Sequence, residues 1–365
     1  MRRIAILGST GSIGKQVLEV VASHKQDFRV ISLTAYSNAE LLQEQALKFL
    51  PTYLGLVASD GKECLTKAVE QNIDLAIFAT SGIDSLDAFI YCLLHNIDIA
   101  VANKEIIVCG GDLIARMRKN SLSKVFPIDS EHSAIWQCAD GKPIQKITIT
   151  ASGGSFYNEL SSRLEFITYD QAKKHPKWNM GADITIDSNT MFNKTMEVLE
   201  AHFLFDVPIS NIDIVVHPQC IVHSFVQFVD GSTLAQLAQP DMRLPIQYAL
   251  TYPTRIKSQA QDLKLTELRE LNFLPLDKEK FPCSVLCYNQ QCNSGIMPTV
   301  MVASCLALRK LFEKKKIHFT DFYKNILFVA DSFYPSLKSM EVTKDNIFKV
   351  YSLAYKFLMD YYEEK

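Results

Sequence analysis

The sequence predicts an α/β protein: a Rossmann-like parallel sheet at the N-terminus, a central α+β domain and a C-terminal helical domain. Three observations carry that reading. Apolar strand runs alternate with helix-patterned segments through the first third of the chain, as in a parallel sheet covered on both faces. The first strand leads directly into Gly8-Ser-Thr-Gly11-Ser-Ile-Gly14 and then a helix, which is a Rossmann opening. From residue 283 onward the pattern is helical.

Residues 3–7 form a continuous apolar strand, and Lys15 to His24 places apolar residues at 17, 18, 20 and 21, as a helix does. Strands follow at 28–34, 53–58, 74–78 and 98–101, with helices at 39–49, 60–71, 84–95 and 110–119 between and after them. The pattern then changes. Strands are expected at 123–129 and 146–150, and Ser152-Gly153-Gly154 is a loop. Residues 168–181 are polar, and an amphipathic helix is expected at 190–205. Strands at 212–216, 221–229 and 233–237 flank an Asp230-Gly231 turn. A polar connector covers 256–280, and helices are expected at 298–315, 320–335 and 343–361.

The chain has 365 residues, 48% of them hydrophobic and 21% charged, enough for two or three folded domains. Its net charge of −2 offers no basic excess, so no nucleic-acid partner is expected. The longest uncharged stretch, Phe281 to Leu308, is interrupted by Pro282, Asn289, Gln290, Gln291, Asn293 and Pro298, so no membrane span is expected. Arg2 and Arg3 run straight into a strand without a secretory cleavage pattern, and a cytoplasmic protein is expected. The nine cysteines contain no CxxC pair and read as reduced, mostly buried thiols.

Four segments carry chemistry. Gly8, Gly11 and Gly14 at a first β–α turn let backbone approach a pyrophosphate at a helix N-terminus. The second strand ends in Tyr36-Ser37-Asn38 with no acid before Glu40, which favours NADPH over NADH. Asp129-Ser130-Glu131 follows an apolar strand; alternate strand residues share a face, so both carboxylates are expected on one side. They are either a solvated acidic pair or half of an all-oxygen site for Mg²⁺ or Mn²⁺. Ser188 and Asn189 are expected to cap the 190–205 helix, with Asn193, Lys194 and Glu197 on its first turns. That arrangement is either a capped helix with an ion pair or a cradle for a phosphate monoester. In the 168–181 loop, Trp178 is either a lid residue or an anchor on the core. His217 and His223 sit among apolar residues and read as satisfied core histidines.

Taken in order, the chain carries Gly8-Ser-Thr-Gly-Ser-Ile-Gly14, Ala102-Asn-Lys-Glu105, Asp129-Ser-Glu-His132 and Ser152-Gly-Gly154. These are followed by His175-Pro-Lys-Trp-Asn-Met-Gly181, Asp187-Ser-Asn-Thr-Met191, Asn193-Lys194, Glu197 and His217-Pro-Gln219. This set resembles the 1-deoxy-D-xylulose 5-phosphate reductoisomerase family over essentially the full length. The resemblance implies an NADPH- and metal-dependent enzyme that rearranges and reduces a phosphorylated ketose in non-mevalonate isoprenoid synthesis. It further implies a homodimer built from an NADPH domain at 1–128, a catalytic and dimerisation domain at 129–255, a connector at 256–280 and a helical domain at 281–365.

Position by position, the resemblance makes Asp129, Glu131 and Glu197 the metal ligands. Ser152, Ser188, Asn193, Lys194 and His175 become substrate-phosphate contacts, and Lys104, Ser130 and Glu131 lie near the reacting carbons, with Lys104, Glu131 and His175 catalytic. Thr10, Gly11, Ser12, Ile13, Asn103, Glu105 and Gly181 become NADPH contacts, with Ser37 and Asn38 near its 2′-phosphate. The sequence departs from the family's pattern at Tyr36, where glycine is common, and at Ser37, where a basic residue is frequent. It departs again at Ser155, where proline often follows, and at Cys220, where serine is usual. Two other classes fit the residues less fully: a metal-free Rossmann reductase, and a nucleotide-sensing protein without turnover.

Overall fold

Strand β1 (Arg2–Leu7) enters the middle of a six-stranded parallel sheet, in a computed structural model that describes residues 1–174 and 181–364. The elements that follow are α1 (Ser12–Ser23), β2 (Phe28–Ala35), α2 (Ala39–Phe49), β3 (Tyr53–Leu56), α3 (Val57–Asp60) and α4 (Glu63–Val69). Next come β4 (Leu75–Phe78), α5 (Leu86–Leu94), β5 (Asp98–Val101), α6 (Lys104–Arg118), β6 (Val125–Pro127) and α7 (Ser130–Ala139). The sheet order is β3-β2-β1-β4-β5-β6, all parallel. The order reverses between β1 and β4, the switch point at which doubly wound sheets bind nucleotides.

The chain divides into two compact units, the first comprising 1–106, 114–136 and 241–263. Its core gathers Ile4, Ile6, Val17, Val21, Leu33, Leu75, Ile77 and Phe126. Each fully buried aliphatic side chain there is worth roughly 1.5–3 kcal/mol. Helix α11 (Arg243–Thr251), which the sequence reading does not single out, adds Ile246 and Leu250 to this core. Its segment therefore packs with the first unit, although it lies within the middle portion of the sequence. Arg2 and Arg3 pair with Asp98 and Asp74 at 2.5 Å each, so the basic N-terminus fixes strand ends.

The second unit comprises 107–113, 137–240 and 264–365. It is built on β7 (Lys146–Ala151), α8 (Tyr169–Ala172), α9 (Ala182–Asn189), α10 (Phe192–Phe205), β8 (Ile212–Val216), β9 (Val222–Gln227) and β10 (Thr233–Leu237). The four strands form a mixed sheet ordered β10-β9-β7-β8, with β7 and β8 parallel and the other pairs antiparallel. The C-terminal helices are α12 (Gln290–Asn293), α13 (Met297–Glu313), α14 (Asp321–Leu337) and α15 (Lys344–Glu363). Among the described residues, no helix is long and apolar enough to cross a membrane. All nine cysteines are buried thiols.

Four expected boundaries move. The helix expected at 60–71 is two short helices broken at Gly61, whose φ is +73°. Helix α6 begins at Lys104 rather than 110 because Asn103 caps it, accepting from Ile106 N–H at 3.1 Å. Gly111 lies inside that helix, where a Cβ would fall 2.2 Å from the Phe203 ring. The strand expected at 123–129 ends at Pro127, and the chain turns helical at Ser130. The helix expected at 190–205 is α10 preceded by α9, and α10 is buried on nearly every side rather than amphipathic.

Candidate active site

In the first unit, the glycine loop joins β1 to α1 at the switch point. Gly8 has φ +86°, and a Cβ on it would lie 2.6 Å from the Ala79 carbonyl oxygen, just past β4. A Cβ on Gly14 would lie 2.2 Å from the Gly8 oxygen. The turn therefore closes only with glycine at these two positions. The loop is held from behind: Gly8 and Ser9 N–H donate to Thr34 O at 3.1 and 2.8 Å. Buried Ser9 Oγ donates to Gln45 Oε1 at 2.6 Å, and Gln45 Nε2 returns a bond to Ser9 O at 2.9 Å. Gln45 and Thr34 are loop supports that sequence reasoning missed; a buried glutamine in a polar helix gives no signal of its own.

Gly11 occupies the N-cap of α1, no side chain caps that helix, and its first turn holds no acid. Gly11 and Ser12 are exposed, and Thr10 and Ile13 half-buried. An exposed helix N-terminus in a cradle closed to a Cβ at Gly8 and Gly14 fits a dinucleotide pyrophosphate. At the end of β2, Tyr36 is 69% exposed, Ser37 is exposed, and Asn38 Oδ1 caps α2 by accepting from Leu41 N–H at 3.1 Å. Asn103 is buried, and its Nδ2 donates to Thr80 Oγ1 and Gly82 O at 3.0 and 2.9 Å, while Glu105 is half-buried. Asn103 therefore shapes the turn after β5 through both ends of its carboxamide.

Asp129, Ser130 and Glu131 stand at the β6–α7 turn. The expected same-face strand pair is not what the structure holds: Ser133 N–H donates to Asp129 O at 2.8 Å, so Asp129 starts α7, and Glu131 lies in its first turn. Ala134, Ile135 and Cys138 supply the buried helical stripe that pulls these residues out of extended backbone. The helix N-terminus favours both carboxylates. Lys104 Nζ pairs with Asp129 Oδ2 at 2.8 Å, His132 Nδ1 lies 3.5 Å from the same oxygen, and Ser130 Oγ donates to Glu131 Oε2 at 2.6 Å. Burial pushes the Asp129 carboxyl up, but Lys104 and then His132 outweigh it and hold the group well below the usual carboxylate range. An ionised, oxygen-only donor set suits a hard divalent cation.

The second unit holds the other candidate residues. Ser188 and Asn189 end α9 instead of capping α10, a correction to the sequence reading. The N-cap of α10 is Met191, buried and left-handed at φ 61°. A left-handed methionine is strained, and such strain collects at functional sites. It breaks the chain into two helices where apolar periodicity shows one. Past the break, Asn193 Nδ2 donates to Glu197 Oε1, and Lys194 Nζ donates to Glu197 Oε2 at 2.6 Å. Lys194 and Glu197 are both buried.

Half-buried Ser152 begins a loop with Gly153 and Gly154 at φ +92° and +71°. A Cβ on Gly154 would lie 3.3 Å from Ser188 O, so this loop lies directly against the end of α9. Asp187, quoted in the sequence motif without a role, is buried and pairs with Arg309 Nη1 of α13 at 2.5 Å. Gly181 is exposed at the N-cap of α9. His175 and Trp178, with the rest of 175–180, lie outside the described residues, and with them the lid-or-anchor reading of Trp178. His217 is a satisfied core histidine: Nδ1 donates to Asn272 O at 2.8 Å and Nε2 accepts from Ile221 N–H at 3.1 Å.

Comparison with known proteins gives one family. Family models described as 1-deoxy-D-xylulose 5-phosphate reductoisomerase match residues 4–72 and 56–111, and models of its C-terminal domains match 125–205 and 237–356. The reductoisomerase of Clostridium perfringens is 42% identical over 341 residues, covering 87% of this chain and 89% of its own. A reductoisomerase structure from Zymomonas mobilis with NADPH superimposes with a TM-score of 0.90 at 31% identity over 100% of both chains. A second structure, with NADPH, fosmidomycin and magnesium, gives 0.85 at 31% identity, covering 100% of this chain and 98% of that one. The chain belongs to the 1-deoxy-D-xylulose 5-phosphate reductoisomerase family.

Proposed function

We propose that this protein converts 1-deoxy-D-xylulose 5-phosphate to 2-C-methyl-D-erythritol 4-phosphate, an NADPH- and divalent-metal-dependent rearrangement and reduction in non-mevalonate isoprenoid precursor synthesis. The observation that carries the reading is family membership along the whole chain. When bound, NADPH supplies the hydride, and Mg²⁺ or Mn²⁺ polarises the neighbouring carbonyl and hydroxyl oxygens of the ketose.

The chain's own residues do the rest. Asp129, Glu131 and Glu197 are the cation's carboxylate ligands, and the Lys104 ammonium keeps Asp129 ionised at neutral pH. Lys104, Ser130 and Glu131 orient the reacting end of the substrate. Ser152, Ser188, Asn193 and Lys194, with His175, take its phosphate; binding that remote group aligns the reacting carbons. Thr10, Gly11, Ser12 and Ile13 receive the cofactor pyrophosphate, Ser37 and Asn38 its 2′-phosphate side, and Asn103, Glu105 and Gly181 line the remainder. The domain divisions at 128, 255 and 280, a homodimer and a cytoplasmic location complete the proposal.

The test is NADPH oxidation with 1-deoxy-D-xylulose 5-phosphate, followed at its absorbance with and without EDTA. Turnover that EDTA abolishes and added Mg²⁺ or Mn²⁺ restores is expected. Turnover indifferent to chelation overturns the three-carboxylate assignment, and no turnover in any metal overturns the function.

A further inference from the structure

We propose that Asn189 is a positioning residue for phosphate recognition: its buried carboxamide locks the Ser152–Ser155 loop and the Ala172–Lys174 segment in register with Ser188. The proposal rests on the phosphate-binding role given above to Ser152 and Ser188.

Asn189 is 0% exposed, and a carboxamide is costly to bury unless bonded. Its Oδ1 accepts from the Ser155 N–H at 2.6 Å, and its Nδ2 donates to Ala172 O at 2.8 Å and to Lys174 O at 3.4 Å. The two outer segments are also tied to each other, because Ser155 Oγ donates to Lys174 O at 2.6 Å. Within the loop, Gly154 N–H donates to Ser152 Oγ at 3.2 Å. One side chain thus joins three stretches of chain, and one of them ends in the hydroxyl of Ser152.

The fit is close as well as bonded. A Cβ on Gly154 would lie 2.9 Å from Asn189 Oδ1, so the loop presses on the carboxamide with no room to spare. The platform beneath cannot slide. Asp187, two residues before Asn189, is buried and held by Arg309 Nη1 at 2.5 Å and by Cys305 Sγ at 3.4 Å. The loop and Ser188 therefore share one fixed reference. The Ser155 N–H and the Asn189 oxygen are two halves of one interaction.

Asn189→Ala is expected to raise KM for 1-deoxy-D-xylulose 5-phosphate about tenfold, the effect of losing roughly 1.4 kcal/mol of alignment, with KM for NADPH unchanged. The decisive readout is a double-mutant cycle with Ser152→Ala. If Asn189 acts by placing Ser152, the second substitution costs less in the Asn189→Ala background than alone. A merely structural asparagine gives multiplicative effects, which overturn the proposal. A wild-type substrate KM in Asn189→Ala, with a raised KM in Ser152→Ala and Ser188→Ala, overturns the proposal alone. Unchanged KM in both serine variants removes the phosphate-binding reading, and the proposal falls with it. Should Asn189→Ala fail to fold, Ser155→Pro removes the same bond along with the hydroxyl bond to Lys174 O, and Ser155→Ala, which loses the hydroxyl bond alone, is its control. Ser155→Pro is expected to raise the same KM, and a wild-type value overturns the proposal.

Discussion

The starts of α1 and α10 are both helix N-termini proposed to hold phosphate groups, and they are built by opposite means. At α1 the chain offers backbone: glycines at 8, 11 and 14, and no side chain capping the helix. At α10 it offers side chains: Asn193 and Lys194 are already bonded to buried Glu197, behind a left-handed Met191. A backbone cradle carries no net charge and takes any pyrophosphate of the right shape. A side-chain cradle is charged, strained and dependent on each partner. The first is hard to damage except by adding atoms, and the second is damaged by removing them.

The largest effect should come from the charged cradle. Glu197→Gln removes a proposed cation ligand and the negative charge that pairs with Lys194 together. We expect kcat/KM to fall by about 10³-fold or more, with NADPH affinity unchanged when measured by its fluorescence on binding. Near-normal turnover in this variant would show that the buried Lys194–Glu197 pair is only a structural ion pair. The comparison between the two cradles would then lose one of its members.

The backbone cradle should break in the other direction. In Gly14→Ala the new Cβ meets Gly8 O at 2.2 Å and Ser9 Cα at 2.6 Å, both backbone atoms that cannot rotate away. Overpacking of this kind costs about 1–3 kcal/mol. The melting temperature should drop and the KM for NADPH should rise at least about tenfold, with the chelator response retained. Gly11→Ala is the comparison on stability, since its Cβ meets the same Gly8 O at 3.3 Å, where a shift of only a few tenths of an ångström is needed. Equal melting temperatures for the two variants would contradict a turn closed by Gly14.

The same contrast governs what could be read from the residues alone. Glycines at a β–α turn have one strong meaning, so the first cradle, the six parallel strands and their order along the chain were legible. Asp129 and Glu131 were legible as a pair, but for the wrong reason. Ser130-Glu131-His132-Ser133 has no strong local preference, and the burial of Ala134, Ile135 and Cys138 decides for helix. At residues 182–205 periodicity fails twice. Met191 takes a backbone angle that its type does not advertise, and α10 is buried nearly all round, which erases the stripe that would phase it. Asn189 looked like a cap because asparagine usually is one; its three bonds run to residues 15, 17 and 34 positions away, beyond the reach of any local pattern.

A smaller effect separates the two units as a whole. Burial pushes the Cys64 thiol to about 11 and the Cys92 thiol higher in the first unit. In the second, burial pushes Cys287 and Cys292 to about 12 and raises Cys283 and Cys305 well above the usual thiol range, with Tyr288 also raised by burial. An unfolded thiol titrates near about 8.5. Between that value and the folded one, the unfolded chain releases protons that the folded chain keeps, so stability is intact below about pH 8.5 and declines as pH rises. The second unit carries more of these groups, and they cluster where the 282–288 turn packs beneath α10, Thr195 Oγ1 donating to Cys283 O at 2.7 Å. Hydrogen exchange compared between about pH 7.5 and about pH 10, corrected for intrinsic rates, should therefore show 283–313 losing protection before β1 and β4. A thiol reagent should find no fast-reacting cysteine among Cys283, Cys287, Cys292 and Cys305 at neutral pH, because each is at most 3% exposed. Uniform loss of protection across both units would show that alkali acts on the whole fold and that buried thiols do not distinguish them.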